Sequence, residues 1–324
     1  MSAIAEQSTF QSSDGHSRIH YEIWYPEGRQ PRAVVQMVHG MCEYIGRYRP
    51  FAEFLVAHGL VAAGHDHLGH GLSASPDRYG YFGETLGDQF LVEDVRLMND
   101  RLRARYPGLP VLLLGHSMGS FVTRDFITRY GDRLAGYLCL GTAGPNPVLP
   151  AGIWMAERQI REKGPLSTGE QLTRLAMGGY NSKIPVRRSP YDWLTREESV
   201  VDRYAEDPRC TFTFTAAGYR DMFLILKRIS SRRWAEKVPK ELPILLAAGD
   251  ADPVGDYSKG VLKVYKLLID AGVHPIRLKI YPGARHELLN ETNRAEVFAD
   301  LLDFIESCIP SAAEPAPSEE TSAS

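Results

Sequence analysis

Short apolar runs alternate with longer amphipathic segments along most of this chain. Residues 33–38, 111–114 and 136–140 have the length and apolar character of buried strands. Residues 90–106 instead repeat apolar side chains at three- and four-residue steps, which is typical of a helix with one face in a core. This alternation predicts an α/β fold in which a mostly parallel sheet is flanked by helices.

Residues 145–234 interrupt the alternation with helical fragments and loops rich in arginine, glycine and aromatic residues. Insertions of this length are usually functional, and we expect this one to form a largely helical lid on a core domain built from residues 1–144 and 235–309. Strand and helix patterns resume in the core at residues 243–248, 259–271, 276–281 and 295–308. Residues 310–324 lack large apolar side chains and are expected to form a disordered tail.

Composition argues against several classes of protein. The chain has 37 Lys and Arg against 40 Asp and Glu, a net charge of −3, so no basic field is expected to hold nucleic acid. The widely spaced cysteines favour reduced thiols over a zinc ribbon or a disulfide framework, and they are Cys42, Cys139, Cys210 and Cys308. Without an apolar run of about 18 residues or a signal-peptide pattern at its start, the chain is expected to be cytoplasmic. No feature specifies an oligomeric state.

A Gly-x-Ser-x-Gly pattern lies directly between a predicted strand and a predicted helix. Gly115 and Gly119 flank Ser117 there, immediately after the strand pattern at residues 111–114. In this context the glycines allow a sharp strand-to-helix turn that exposes the serine hydroxyl at the carboxyl edge of the sheet. The start of the helix also favours developing negative charge. Ser117 is therefore predicted to be a catalytic nucleophile.

A serine nucleophile needs a base, and the base needs an acid that orients it. His286 follows the last predicted strand on a loop at the same edge of the sheet, which makes it the best candidate for the base. Two aspartates follow the preceding strand pattern, and Asp252, deeper in its loop, is favoured over Asp250 as the orienting acid. The chain order Ser117, Asp252, His286 is the order expected for α/β-hydrolases.

Five motifs, in order, resemble those of monoacylglycerol lipases and lysophospholipases, lid-containing α/β-hydrolases similar to serine aminopeptidases. They are His-Gly-x-x-Glu-x-x-Gly-Arg-Tyr at 39–48, Asp-His-x-Gly-His-Gly-x-Ser at 66–73, Gly-His-Ser-Met-Gly at 115–119, Gly-x-x-Asp at 249–252 and Tyr-x-Gly-x-x-His at 281–286. The match extends over residues 10–308 and is weakest in the inserted segment. The resemblance implies an α/β-hydrolase fold and a serine hydrolase.

The resemblance further implies a small-molecule lipid ester as substrate, either a monoacylglycerol or a lysophospholipid, and an acyl-enzyme on Ser117 without a cofactor. It implies that the backbone N–H groups of Met41 and Met118 form the oxyanion hole, where each donor typically contributes ~3–4 kcal/mol. A proline-type aminopeptidase on the same fold and a non-catalytic binding protein remain the alternatives. An aminopeptidase would need acidic lid residues for the substrate amine, and the candidates are Glu157, Glu162, Glu170, Glu197, Glu198 and Glu206.

One histidine-rich loop has two interpretations. His65, His67 and His70 have a spacing found in metal sites, but Gly69 stands where binuclear metallohydrolases place an aspartate. The favoured interpretation is that these side chains brace the loops around the site through hydrogen bonds to the backbone, so no metal is expected. Cys42, next to an expected oxyanion donor, is interpreted as a small packed residue and not as a second nucleophile.

The most apolar stretches of the inserted segment lie at residues 153–155 and 222–226. One helix face cannot bury five adjacent apolar residues, so some of these side chains are expected to line an acyl pocket. The candidates are Ile153, Trp154 and Phe223, although packing within the lid is the commoner role of any one such residue. The same stretches predict transient contact between the lid and a membrane surface.

Overall fold

The computed structural model describes residues 3–310, and the strands of this part of the chain form one eight-stranded sheet. These strands are β1 (Ala3–Gln11), β2 (Arg18–Pro26), β3 (Val34–Val38), β4 (Val61–His65), β5 (Val111–His116), β6 (Gly136–Leu140), β7 (Ile244–Gly249) and β8 (Ile276–Tyr281). They pair in the order β1-β2-β4-β3-β5-β6-β7-β8. The pairs β1–β2 and β2–β4 are antiparallel, and the other five pairs are parallel.

Helices lie on both faces of this sheet, which confirms the predicted α/β architecture. In residues 3–310 they are α1 (Arg49–Ala57), α2 (Gly87–Arg105), α3 (Met118–Tyr130), α4 (Leu149–Lys163), α5 (Glu170–Met177), α6 (Glu198–Glu206), α7 (Ala216–Arg228), α8 (Arg232–Glu236), α9 (Lys259–Asp270) and α10 (Arg294–Ser307). None of these helices is both long and apolar enough to cross a bilayer.

The central strands are apolar on both faces because each face covers a separate layer of helices. Along β5, Leu113 packs in one core cluster with residues of α2, α3 and α9, whereas Leu112 and Leu114 pack in the other with residues of α1 and α10. Successive strand side chains point to opposite faces, so a strand buried on both sides has a continuous apolar sequence. This is why the sequence pattern located β3, β5, β6 and β7 closely.

The two N-terminal strands were not predicted from the sequence. β1 is an edge strand, and its sequence reads Ala-Ile-Ala-Glu-Gln-Ser-Thr-Phe-Gln; among residues 4–11 only Phe10 is fully buried. Its pairing with β2 over nine residues is backbone hydrogen bonding that any side chain permits. A strand that is stabilised more by backbone pairing than by burial therefore shows little hydrophobic pattern in its sequence.

Residues 145–234, which we call the inserted segment, lie between β6 and β7 and carry α4 to α7 and the start of α8. α4 packs along α7, and α7 packs in turn against α2 and α3 of the core. Two of its helices begin with hydroxyl caps, in which Thr215 accepts from the Gly218 amide at 3.1 Å and Ser231 from the Trp234 amide at 3.3 Å. Apart from Pro310, the tail predicted at residues 310–324 lies outside the described residues.

Candidate active site

Ser117 occupies a strained turn between β5 and α3. Its backbone φ is 52° and ψ is −123°, a conformation that side-chain-bearing residues rarely adopt. The turn is tight enough that a β-carbon at Gly119 would lie 2.1 Å from the Val38 carbonyl oxygen, and one at Gly115 would lie 2.1 Å from Thr123 Oγ1. The two glycines of the motif are therefore required by close packing, and the turn presents Ser117 at the carboxyl edge of the sheet.

Asp252 and His286 form a buried hydrogen-bonded pair at that same edge. His286 Nδ1 lies 3.0 Å from Asp252 Oδ2, and the two residues are 1% and 0% exposed. The other carboxylate oxygen of Asp252 accepts the Val254 amide at 2.8 Å, which fixes its orientation. Asp250 instead lies at the surface, where it accepts the Gly283 amide at 2.6 Å.

Ser117 and His286 line the same cavity. Nε2 of His286 has no hydrogen-bond partner among residues 3–310, although its other ring nitrogen is bonded to Asp252. A serine–base hydrogen bond often tightens only when substrate is bound. Asp252 therefore holds one ring nitrogen of His286, and the other ring nitrogen carries no hydrogen bond within the described residues.

Met41 and Met118 also line this cavity. Met118 is the first residue of α3, so no carbonyl group of the helix can accept its amide N–H. This N–H lies at the positive end of the helix dipole. The amides on either side of Met41 are bonded elsewhere, that of Gly40 to Glu43 Oε1 at 2.5 Å and that of Cys42 to His70 Nε2 at 3.3 Å. The loop around Met41 is thus held in place by its neighbours.

A buried network that the sequence did not predict supports these loops. Glu43 accepts hydrogen bonds from the Gly40 amide and the Tyr48 hydroxyl, and it lies 3.1 Å from His116 Nδ1. His116 Nε2 in turn lies 3.2 Å from the carbonyl oxygen of His286. The network thereby links the loop after β3 to the loop that carries His286.

The charges of this network are compensated inside the protein. Burial alone would raise the pKa of Glu43, but hydrogen bonding and charge from His116, together with the Arg47 charge, lower it to about 2. Burial opposes protonation of His116, yet Glu43 raises the pKa of that ring overall. Arg47 also forms a two-pronged ion pair with Glu287, at 2.7 Å for each contact. Glu43 and Arg47 stand in the first motif, but only the fold shows that His116 and Glu287 meet them.

The histidine-rich loop bonds mainly to backbone. His39 Nε2 accepts the His67 amide at 3.0 Å, and Asp66 accepts the amides of Ile45 and Leu72 at 2.7 and 2.8 Å. Burial lowers the pKa of His65 to about 3 and that of His70 to about 4, so both rings are neutral at pH 7. No group of three or more His, Cys, Asp or Glu residues within 3–310 is arranged to hold a metal ion.

The cavity that Ser117 lines has a volume of about 830 Å³ and a mixed wall in which apolar surface exceeds polar surface. Aliphatic and aromatic side chains of the core and the inserted segment form much of this wall, including Phe121, Leu149, Tyr180, Trp193, Phe212, Tyr219, Met222, Phe223 and Leu226. Three of the six aromatic residues, Tyr180, Trp193 and Phe212, lie between helices in stretches without clear periodicity, so sequence analysis did not single them out.

The structure separates the three residues expected to line an acyl pocket. Phe223 lines the cavity, whereas Ile153 and Trp154 are not among the lining residues. Ile153 is buried in the core cluster that includes α7, and Trp154 is 54% exposed. Consecutive helix residues are about 100° apart, so α4 turns one of the two inward and the other towards solvent.

The sheet order, the serine turn and the Asp–His pair at neighbouring strand ends define an α/β-hydrolase. The model of the hydrolase family described as serine aminopeptidase, S33, matches residues 29–293, and the chain belongs to this family.

The relatives agree with this family. The chain is 30% identical over 298 residues to a monoacylglycerol lipase of Mycolicibacterium smegmatis, covering 90% of this chain and 94% of that protein. It is 32% identical over 275 residues to monoglyceride lipase of Homo sapiens, covering 83% and 79%. A crystal structure of a thermostable carboxyl esterase from Bacillus coagulans with glycerol superposes with a TM-score of 0.88 at 33% identity, covering 94% of this chain and 99% of that one.

Proposed function

We propose that the protein hydrolyses the single acyl ester of monoacylglycerols or lysophospholipids through an acyl-enzyme on Ser117. The protein is a carboxylic ester hydrolase, as its relatives are monoacylglycerol lipases and a carboxyl esterase. The observation that carries the proposal is the cavity of about 830 Å³, which is lined by Ser117, His286 and a wall with more apolar than polar surface. A cavity of this size and polarity suits one acyl chain beside the reacting carbonyl.

In the proposed mechanism, Ser117 Oγ attacks the ester carbonyl carbon while His286 Nε2 takes its proton. Asp252 holds the imidazole through Nδ1 and stabilises the imidazolium that forms. The amides of Met41 and Met118 stabilise the oxyanion, and the proton on His286 passes to the departing glycerol oxygen. Water then attacks the acyl-enzyme with His286 as base, which releases the fatty acid and restores Ser117.

We further propose that residues 145–234 act as a lid on the core. Support comes from the cavity wall, to which this segment contributes Tyr180, Trp193, Tyr219 and Phe223. A wall of this composition excludes water from the reacting carbonyl and strengthens the electrostatic interactions there. Substrate must pass this segment to reach Ser117, so its position relative to the core governs access.

The aminopeptidase alternative lacks a free carboxylate of the lid to bind an amine. None of the six lid glutamates lines the cavity in the described part of the chain. Glu43 and Glu287 do line it, but both are paired with Arg47. Asp256 also lines the cavity, but so do the basic residues Arg174 and Lys263.

A substrate panel tests the proposed activity. Purified protein is expected to hydrolyse 1-oleoylglycerol, lysophosphatidylcholine or both, as well as p-nitrophenyl esters, and to leave prolyl and alanyl p-nitroanilides intact. Released fatty acid and p-nitroaniline measure the two chemistries in the same preparation. Turnover of an anilide at a rate comparable to that of the esters would reverse the assignment, and turnover of short p-nitrophenyl esters alone would reject the lipid substrate.

We also propose that the outer face of the lid contacts a membrane surface transiently and that the protein acts in the cytoplasm. Exposed apolar side chains of the inserted segment support the contact, and they are Val148, Trp154, Leu166, Leu175 and Val186. Trp154 stands beside the basic Arg158, a combination favoured at the headgroup level of a bilayer. None of the four cysteines is paired, which suits a reducing compartment.

Replacing Trp154 with serine is expected to weaken vesicle binding about tenfold, because ~1.4 kcal/mol of apolar burial is lost. Sedimentation with vesicles of phosphatidylcholine and phosphatidylglycerol measures the binding, and turnover of a water-soluble p-nitrophenyl ester should not change. Leu86→Ser is the matched control, since Leu86 is 50% exposed but lies outside the inserted segment. Equal losses for the two variants, or none for Trp154→Ser, would contradict a role of this face.

A further inference from the structure

The imidazole of His286 packs against an aromatic ring that the inserted segment supplies. The centroid of the Trp193 ring lies 5.0 Å from that of His286 at an interplanar angle of 40°. Trp193 is 8% exposed, and Tyr180 packs against its indole at 4.8 Å with an edge-on angle of 64°. The candidate base is therefore surrounded partly by the core and partly by the inserted segment.

Hydrogen bonds hold the chain around Trp193 against the loop that carries His286. The Glu287 amide donates to the Leu194 carbonyl oxygen at 2.7 Å. Arg285 Nη1 donates to the carbonyl oxygens of Asp192 and Thr195 at 2.6 and 2.9 Å. These bonds run from the residues on either side of His286 to residues on either side of Trp193, so the two rings have a fixed relation.

A second set of contacts anchors the same stretch. Arg196 Nε donates to Glu291 Oε2 at 2.8 Å, and Thr195 Oγ1 donates to the Asn290 carbonyl oxygen at 3.0 Å. The Trp193 amide itself donates to Asn181 Oδ1 at 2.9 Å. This stretch is bonded to the core at the catalytic loop, in contrast to a lid that only covers a cavity.

An indole next to the base affects the two protonation states of the base differently. The face of an indole attracts a cation within about 6 Å of the ring centroid, and the attraction is stronger when the pair is desolvated. A neutral imidazole gains little from this attraction. Within the proposed mechanism His286 becomes a cation only after it accepts the serine proton, so the contact favours that state.

We propose that Trp193 is a positioning residue that holds His286 in place and stabilises its imidazolium form. The proposal deepens the proposed function and rests on it in one respect, namely that His286 serves as the base. It gives the inserted segment a part in the electrostatics of the site in addition to covering the cavity.

Other charged and titratable groups also act on this imidazole. Around it lie Asp252, the His116–Glu43 pair, the Glu287–Arg47 pair, Arg285 and Tyr180. Glu43 raises the pKa of His116, whose ring centroid lies 4.7 Å from that of His286; a proton on His116 would oppose a second positive charge on His286, whereas the Asp252 carboxylate favours it. Substitutions of Trp193 leave all these groups in the sequence. A difference in the His286 titration between the variants therefore measures the effect of the indole.

The test compares Trp193→Leu with Trp193→Phe. Histidine-labelled protein in a Ser117→Ala background is titrated by nuclear magnetic resonance, and the His286 signal is identified by its loss in His286→Asn. In Trp193→Leu the midpoint of the His286 titration is expected to fall by about half a pH unit to one unit, since one unit corresponds to ~1.4 kcal/mol. Trp193→Phe keeps an aromatic face and should recover most of this shift.

Tyr191→Leu is the matched control, because Tyr191 lies in the same stretch and packs on Tyr204, with no ring contact to His286. It should leave the His286 midpoint unchanged. An unchanged midpoint in folded Trp193→Leu, or an equal shift in Tyr191→Leu, would reduce Trp193 to a wall residue. With Ser117 intact, Trp193→Leu should lower kcat about three- to tenfold, whereas a change confined to KM would leave Trp193 only its place in the cavity wall.

A measurement on the protein with all its tryptophans covers the case in which Trp193→Leu does not fold. Protonated imidazole quenches indole fluorescence, so emission should fall as His286 takes up its proton, and this step should vanish in His286→Asn. If the fluorescence did not change in this way, the proposed contact between Trp193 and the His286 imidazolium would be rejected. Failure of the proposed function has a different signature: ester turnover would persist in Ser117→Ala, whatever the titration of His286 shows.

Discussion

Replacing Ser117 with alanine is expected to lower ester turnover by at least ~10⁴-fold, because the proposed mechanism places the acyl-enzyme on the Ser117 hydroxyl. Removing the serine of a Ser-His-Asp triad costs about as much as removing the whole triad. Alanine keeps the β-carbon and therefore the same backbone strain at φ 52°, so the melting temperature should change little. Hydrolysis of p-nitrophenyl butyrate measures the loss, with circular dichroism as the check on folding.

Covalent labelling separates a lost nucleophile from a damaged site. A fluorophosphonate should label the unmodified protein once, on the peptide that contains Ser117, and should not label Ser117→Ala. Cys42 is the competing nucleophile to test, because it also lines the cavity. Burial raises the pKa of its thiol, which disfavours the nucleophilic thiolate. We therefore expect that the label stays on Ser117 in Cys42→Ala. A label on another residue, or full turnover by Ser117→Ala, would reject the proposed mechanism.

The parts of the site that lie at strand ends were accessible from the sequence. Ser117, Asp252 and His286 each follow a strand, and the carboxyl ends of parallel strands meet at one edge of the sheet. Local pattern and chain order therefore sufficed to expect these side chains close together. The separation of 3.0 Å between Asp252 and His286 agrees with that expectation, while the catalytic roles stay predictions for the variants to test.

The supporting contacts were not accessible, because they depend on pairs far apart in the chain. His116 meets Glu43 across 73 positions, and Glu287 meets Arg47 across 240. Each of these side chains is a common surface residue type, and nothing in the local sequence says that its charge is buried and paired. The fold brings them together behind the loops that carry Met41 and His286, where mutual compensation makes their burial tolerable.

The inserted segment shows a second limit. Trp193 lies in an irregular stretch between α5 and α6, where neither helical nor strand periodicity indicates which side chains point inward. The apolar run at residues 222–226 did indicate part of the cavity wall, since Phe223 lines it. Within α4, by contrast, the apolar pair Ile153 and Trp154 is divided between core and solvent. A helix buries residues by angular position, which a short apolar run does not specify.

The two aspartates of the loop after β7 should respond differently to replacement by asparagine: one substitution should abolish most ester turnover and the other should preserve it. Asp252→Asn is expected to reduce ester turnover by ~10⁴-fold, as the comparable change does in serine proteases. Asparagine at this position cannot hold Nδ1–H of His286 in the required tautomer or compensate the imidazolium. Turnover of p-nitrophenyl butyrate across pH 6 to 9 measures the loss, and the buried position of Asp252 makes a parallel melting curve necessary.

Asp250→Asn is the matched control, two residues away on the same loop. Asp250 is exposed, and its oxygen accepts only the Gly283 amide at 2.6 Å among the side-chain hydrogen bonds of the described residues. An asparagine oxygen can accept the same bond, so turnover should be retained and the free energy of unfolding should fall by no more than ~1 kcal/mol. If Asp250→Asn abolished turnover while Asp252→Asn preserved it, the two aspartates would have exchanged roles. That result would require the loop to rearrange in solution, because in this structure Asp252 is the aspartate bonded to His286.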